Sequence, residues 1–148
     1  MFVMYRKREE TDMRVAVRYY TRSGNTKKLA DAAAKAASVS AQDISIPLSE
    51  KADILLLGCS YYAFDVDDAV KKFIIDNKEN IGKIVCFGTS AMMKSMKKPV
   101  RKVADSVGVA VADEEFHCRG QFGKIHKGRP NNDDIEALIA FVQKITAE

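Results

Sequence analysis

Six consecutive residues, Thr21-Arg22-Ser23-Gly24-Asn25-Thr26, have the makings of a phosphate cradle. They bring three hydroxyls, a carboxamide and closely spaced backbone N–H groups. Hydroxyl and amide donors can satisfy a phosphate dianion without a lysine, and Gly24 lets the backbone close around it. The run follows the β-branched and aromatic segment Arg14–Tyr20 and opens into the alanine-rich segment Thr26–Ala37, which is a strand–loop–helix order. The start of a helix offers unpaired N–H donors and a partial positive charge, and both favour a phosphate. The plainer alternative is that Ser23 or Asn25 only caps the helix. Two other phosphate loops do not fit, because the chain has neither Gly-x-x-x-x-Gly-Lys-Ser/Thr nor Gly-x-Gly-x-x-Gly.

The elements that must hold this loop follow from periodicity. A short strand is expected near Asp43–Ile46. Ala52–Gly58 is a continuous apolar run of strand length, as suits a central strand covered on both faces. Asp67 or Asp68 can cap a helix that presents Val70, Phe73 and Ile74 on one face. Lys83–Gly88 reads as the next strand. Val100, Val103, Ala104 and Val107 recur at helical spacing after Pro99. Ala110–His117 is another strand. Asn131 or Asn132 caps a last helix carrying Ile135, Leu138, Ile139 and Val142. Between the second and third strands there is room for a short helix near Leu48–Lys51. Alternating strands and helices imply a parallel sheet between two helical layers, and right-handed crossovers make it doubly wound. Ligands of such sheets bind beyond the carboxyl ends of the strands, which is where residues 21–26 fall. Residues 1–13 are expected as an N-terminal arm and 14–148 as a single domain.

The pattern Thr-x-Ser-Gly-Asn-Thr resembles the phosphate-binding loop of flavodoxins. Gly58-Cys-Ser-Tyr-Tyr-Ala63 is similar to the second flavin loop of that family, where an aromatic ring stacks on the isoalloxazine. The resemblance gives that role to Tyr62, with Tyr61 second, and Ser60 and Ala63 complete the loop. Taken alone, both tyrosines could be ordinary rim residues. Phe87-Gly-Thr-Ser-Ala91 resembles the third loop, with Thr89 and Ser90 as donors to the pyrimidine edge and Ala91 beside them; alone it is a polar turn. Glu115–Gly120 and Lys127–Asn131 extend the likeness, so it spans about residues 14–146.

The resemblance implies a flavodoxin-like α/β fold of three layers, doubly wound on a parallel five-stranded sheet in the order 2-1-3-4-5. It implies FMN as cofactor and electron transfer between redox partners, with no catalytic residue of the chain's own. Two alternatives stand beside it. One is a small FMN-dependent NAD(P)H reductase of quinones or similar acceptors, for which 148 residues leave little substrate domain. The other is a flavin-free binding or regulatory module. Three departures from the family pattern matter. Ala63 stands where many flavodoxins have glycine, and alanine resists positive φ. Met92, Met93, Lys94 and Met96 occupy a region where many have a tyrosine. The chain carries +4 where typical flavodoxins are acidic. Lys94, Lys97, Lys98, Arg101 and Lys102 form one basic cluster; Arg119, Lys124, Lys127 and Arg129 form a second. These are either a solvated surface or a surface for an anionic partner such as an acidic redox protein.

The composition, 47% hydrophobic and 30% charged, is that of a globular chain, not a disordered one. The longest apolar runs, such as Ile54–Leu57, are strand-sized, so no membrane span is expected. In Met1–Glu10 the charges follow the apolar residues, the wrong order for a secretory signal, and a cytoplasmic location is expected. Cys59, Cys86 and Cys118 are odd in number and far apart, which suits reduced, buried thiols. With His117 and His126 they lack the spacing of a zinc site, and His117 and Cys118 are expected to be structural. The basic clusters have no interleaved aromatics, so nucleic acid is not an expected partner.

Overall fold

A computed structural model of the chain describes residues 13–21, 24–60, 65–90, 95, 97–121 and 124–147. Five strands form one sheet in the order β2-β1-β3-β4-β5: β1 Val15–Tyr19, β2 Ala41–Asp43, β3 Ile54–Ser60, β4 Lys83–Ser90 and β5 Ala110–Arg119. Every pairing is parallel. The helices are α1 Asn25–Ala37, α2 Asp68–Asp76, α3 Lys97–Ser106 and α4 Asn132–Thr146. This is the doubly wound order expected from the sequence.

The sheet works because its central strands are apolar on both faces. Leu55, Leu57 and Cys59 of β3 and Ile84 and Cys86 of β4 face α2 and α3, packing on Val70, Phe73, Ile74, Val100 and Ala104. The alternate residues Ile54, Leu56, Val85 and Phe87 face α1 and α4, packing on Leu29, Ala30, Ala33, Leu138 and Val142. Helix starts follow the capping residues. The Asp67 carboxylate accepts from Ala69 N at 2.9 Å. Asn131 and Asp134 form a reciprocal capping box at the start of α4. Among the described residues no helix is long and apolar enough to cross a membrane.

The second strand and the connector after it differ from expectation. β2 ends at Asp43, where the sequence suggested that it begins. The Asp43 carboxylate accepts from Ser45 N at 2.8 Å, and its carbonyl from Ile46 N at 3.0 Å, which turns the chain instead of extending it. No helix forms near Leu48–Lys51. Other elements take up the connector's backbone groups. Leu48 N donates to Asn77 Oδ1 at 2.9 Å, and Leu48 O accepts from Asn80 Nδ2 at 3.1 Å. The carbonyls of Ile46 and Pro47 accept from the Arg18 guanidinium. A groove of about 540 Å³ lies open beside α2, walled by Tyr20, Ile44, Pro47 and Phe73.

Gly58 of β3 lies beneath the start of α1. A Cβ there would sit 2.4 Å from the Phe87 ring and 3.1 Å from Thr26 Cγ2. Phe87 is fully buried and has little room to yield. Gly58→Ala is therefore expected to destabilise the fold by about 1–3 kcal/mol. Urea denaturation would show this as a lower midpoint with an unchanged slope; an unshifted midpoint would mean that Phe87 yields freely.

Candidate functional site

The carboxyl ends of β1, β3, β4 and β5 meet the start of α1. Gly24 occupies the N-cap position with φ +87, a left-handed conformation that suits glycine. Neither Ser23 nor Asn25 is therefore the cap residue. Asn25 is the first residue of α1, and its side chain donates to Gln121 O at 3.1 Å. Thr21 Oγ1 accepts from Gly24 N at 2.9 Å, so its own proton remains available to another acceptor. The first intrahelical bond here is Lys28 N to Gly24 O at 3.3 Å. The amides before it have no intrahelical acceptor by the geometry of any helix start. The first turn carries no carboxylate, so nothing on α1 neutralises its positive end.

Thr26 is completely buried, and its Oγ1 lies 3.4 Å from Thr89 Oγ1 at the end of β4. Gly120 completes the seat. A Cβ there would come within 2.9 Å of Thr89 Cβ and 3.0 Å of Asn25 Nδ2. The structure thus brings Thr21, Gly24, Asn25, Thr26 and Thr89 together, with Ser90 next in β4 and nearly buried. Ser60 ends β3. Arg22, Ser23, Tyr61, Tyr62, Ala63 and Ala91 lie outside the described residues. Sequence reasoning missed the seating roles of Gly58 and Gly120. A glycine at each strand end was the available signal, though only the packing shows what crowds it.

Sequence reasoning also missed a polar row on the opposite face of β5. Phe116 and Cys118 pack toward α4, so alternation turns Glu115, His117 and Arg119 toward the α3 side. Ser95 Oγ donates to Glu115 Oε1 at 2.6 Å and accepts from Lys97 N at 3.2 Å. Glu115 therefore ties the segment before α3 to β5. His117 pairs in register with Gly88, and its buried Nε2 has no hydrogen-bond partner among the described residues.

The cysteines are free and buried. Burial pushes the thiols of Cys59 and Cys118 up to about 12 and that of Cys86 well above its usual value. They are packing groups, not nucleophiles. No cluster of metal-binding side chains occurs among the described residues.

No family model matches the chain, and no curated protein matches it. Solved structures do. A flavodoxin from the domain Archaea is 18% identical over 91% of this chain and 97% of its own, with a TM-score of 0.72. Oxidised Flavodoxin 1 from Bacillus cereus is 21% identical over 90% and 97%, with a TM-score of 0.65. A flavoprotein from Lactobacillus acidophilus, solved in complex with FMN, is 17% identical over 72% and 93%, with a TM-score of 0.60. The fold of this chain is that of the flavodoxins.

Burial, and then Arg119, lower the His117 pKa below its usual 6.5, while Glu115 opposes them. The folded chain thus holds the ring neutral at a pH where the unfolded chain already binds a proton. The resulting stability is present above pH 6.5 and is lost as pH falls from 6.5 toward the folded value. An NMR titration of the imidazole is expected to give a pKa under 6.5. His117→Gln is expected to flatten this part of the stability–pH curve; a ring titrating above 6.5 would refute the assignment.

Proposed function

We propose that this chain binds FMN through the start of α1 and carries electrons between redox proteins. The observation that carries the reading is the seat of α1. Its first turn, free of carboxylates, rests on β3, β4 and β5 with the hydroxyls of Thr26 and Thr89 beneath it. That donor set fits a phosphate monoester: helix amides, a left-handed glycine and hydroxyls, with no acid to repel it. The likeness to flavodoxins, one neighbour of which is a flavoprotein in complex with FMN, supports the same cofactor.

FMN supplies a ring that accepts and gives up electrons one or two at a time. The chain's part is to hold and orient it. Thr21 and Thr26, with the amides that follow Gly24, bind the phosphate. Asn25, tied to Gln121 O, fixes the first turn in place. Tyr62, with Tyr61 second, stacks on the ring, as the resemblance implies. Thr89, whose hydroxyl lies 3.4 Å from that of Thr26, falls at the phosphate seat, and Ser90, next in β4, is left to serve the ring's polar edge, where the resemblance had placed both. The three buried, free thiols suit the reducing cytoplasm. The positive balance of the chain favours an anionic partner over a basic one.

Added FMN is expected to give a protein with the absorption bands of oxidised flavin and strongly quenched fluorescence. A colourless protein that takes up no FMN would contradict the reading. Rapid reduction of the bound flavin by NADPH alone would redirect it to a reductase. Thr26→Val keeps the shape and removes one hydroxyl. A hydrogen bond to a charged group contributes ~1.5–3 kcal/mol, so FMN is expected to bind roughly ten- to a hundredfold more weakly. An unchanged dissociation constant would remove Thr26 from the phosphate site.

A further inference from the structure

Helix α3 is built against its own dipole. The positive end of a helix favours carboxylates in the first turn. α2 begins with Asp67 and Asp68, and α4 has Asp133 and Asp134 in its first turn. α3 begins with Lys97, Lys98, Arg101 and Lys102, and its first carboxylate is Asp105. Four cations and one carboxylate leave this helix with a net +3, most of the chain's +4.

Two of the four cations serve the fold. Lys97 Nζ donates to Asp113 O at 2.7 Å. Arg101 donates to Val111 O at 3.3 Å and to the Asp113 carboxylate at 3.1 Å, tying α3 to β5. Lys98 and Lys102 are exposed and pair with no described carboxylate. Lys102 lies near Asp65, but that carboxylate is bonded to Lys71 at 2.7 Å. Like charges four residues apart repel, and Lys98, in the first turn, also meets the unfavourable end of the dipole. Neither lysine contributes to packing, which Val100 and Ala104 supply from the opposite side. Within the chain the pair's return is slight: a weak attraction between Lys102 and Asp65, whose carboxylate is already held by Lys71. Its position explains it better: β4 ends at Ser90 and α3 begins at Lys97, so Lys98 stands at the same end of the sheet as Thr26 and Thr89, with Lys102 one turn further along the exposed face.

We infer that the exposed face of α3, through Lys98 and Lys102, is the docking surface for the acidic face of a redox protein. The inference rests on the FMN reading above and specifies the partner's chemistry. Complementary charge orients the encounter so that the cofactor end of the sheet meets the partner, and it raises the association rate. The two lysines act by positioning, not by touching the flavin.

The test uses the FMN-loaded chain and an acidic [2Fe–2S] ferredoxin as the probe. Each reduced iron–sulfur centre gives one electron to the flavin and is thereby oxidised. The second-order rate is expected to fall steeply with ionic strength. In K98E/K102E it is expected to drop about tenfold at low salt and to lose that salt slope. A basic cytochrome c, taking one electron from the reduced chain, is expected to react faster with the variant than with the parent. The flavin spectrum should be identical in both, since neither lysine is in the binding site. An unchanged ferredoxin rate and salt slope in the variant, with an intact spectrum, would overturn the docking surface and leave the FMN reading standing. As a readout independent of flavin, 15N shift mapping with oxidised ferredoxin is expected to move the α3 amides of the flavin-free chain. Shifts confined to other surfaces would overturn the inference whether or not FMN binds.

Discussion

The first turn of α1 rests on three strand ends with almost no clearance. Gly58 leaves room for Thr26 and the Phe87 ring, and Gly120 leaves room for Asn25 and Thr89. This close seat holds the helix start at the carboxyl edge of the sheet, where doubly wound proteins place their ligands. It also buries the Thr26 hydroxyl beside that of Thr89 and so keeps polar groups in a dry place. An anion at this edge would meet hydroxyls and helix amides at once. The proposed chemistry depends on that packing more than on any single side chain.

The sheet beneath is correspondingly well packed. Residues 54–59 of β3 and 84–87 of β4 are buried on both faces. By contrast, the β2 side is lightly built. β2 has three residues, and the connector that follows has no helix. Arg18, Asn77 and Asn80 hold it through its backbone instead. The asymmetry puts the best-packed part of the molecule under the candidate site and leaves the open groove on the other flank.

Much of this was legible in the sequence because it rests on local signals. The strand–loop–helix run at 14–37, the apolar stretches of β3 and β4, and the caps Asp67 and Asn131 all follow from propensity and periodicity. What was not legible depends on contacts distant in sequence. Gly24 is the cap residue, and the Asn25 side chain donates instead to Gln121 O, 96 residues away. The segment Leu48–Lys51 forms no helix, and Asn77 and Asn80 bond the Leu48 N–H and carbonyl instead. The row of Glu115, His117 and Arg119 shows period-2 alternation, but the sequence could not say which face of β5 would be enclosed. The basic clusters were visible as composition. Their division into Lys97 and Arg101, which bind β5, and Lys98 and Lys102, which do not, required the fold.

If the start of α1 holds a phosphate, the protein must distinguish flavins by that group alone. The direct measurement is the dissociation constant for FMN against that for riboflavin, which has the same ring without the phosphate. Several charge-assisted bonds at ~1.5–3 kcal/mol each predict that FMN binds at least about a hundredfold tighter. Equal affinities would contradict the account, since the donors at Thr21–Thr26 would then be bonding to something other than a phosphate.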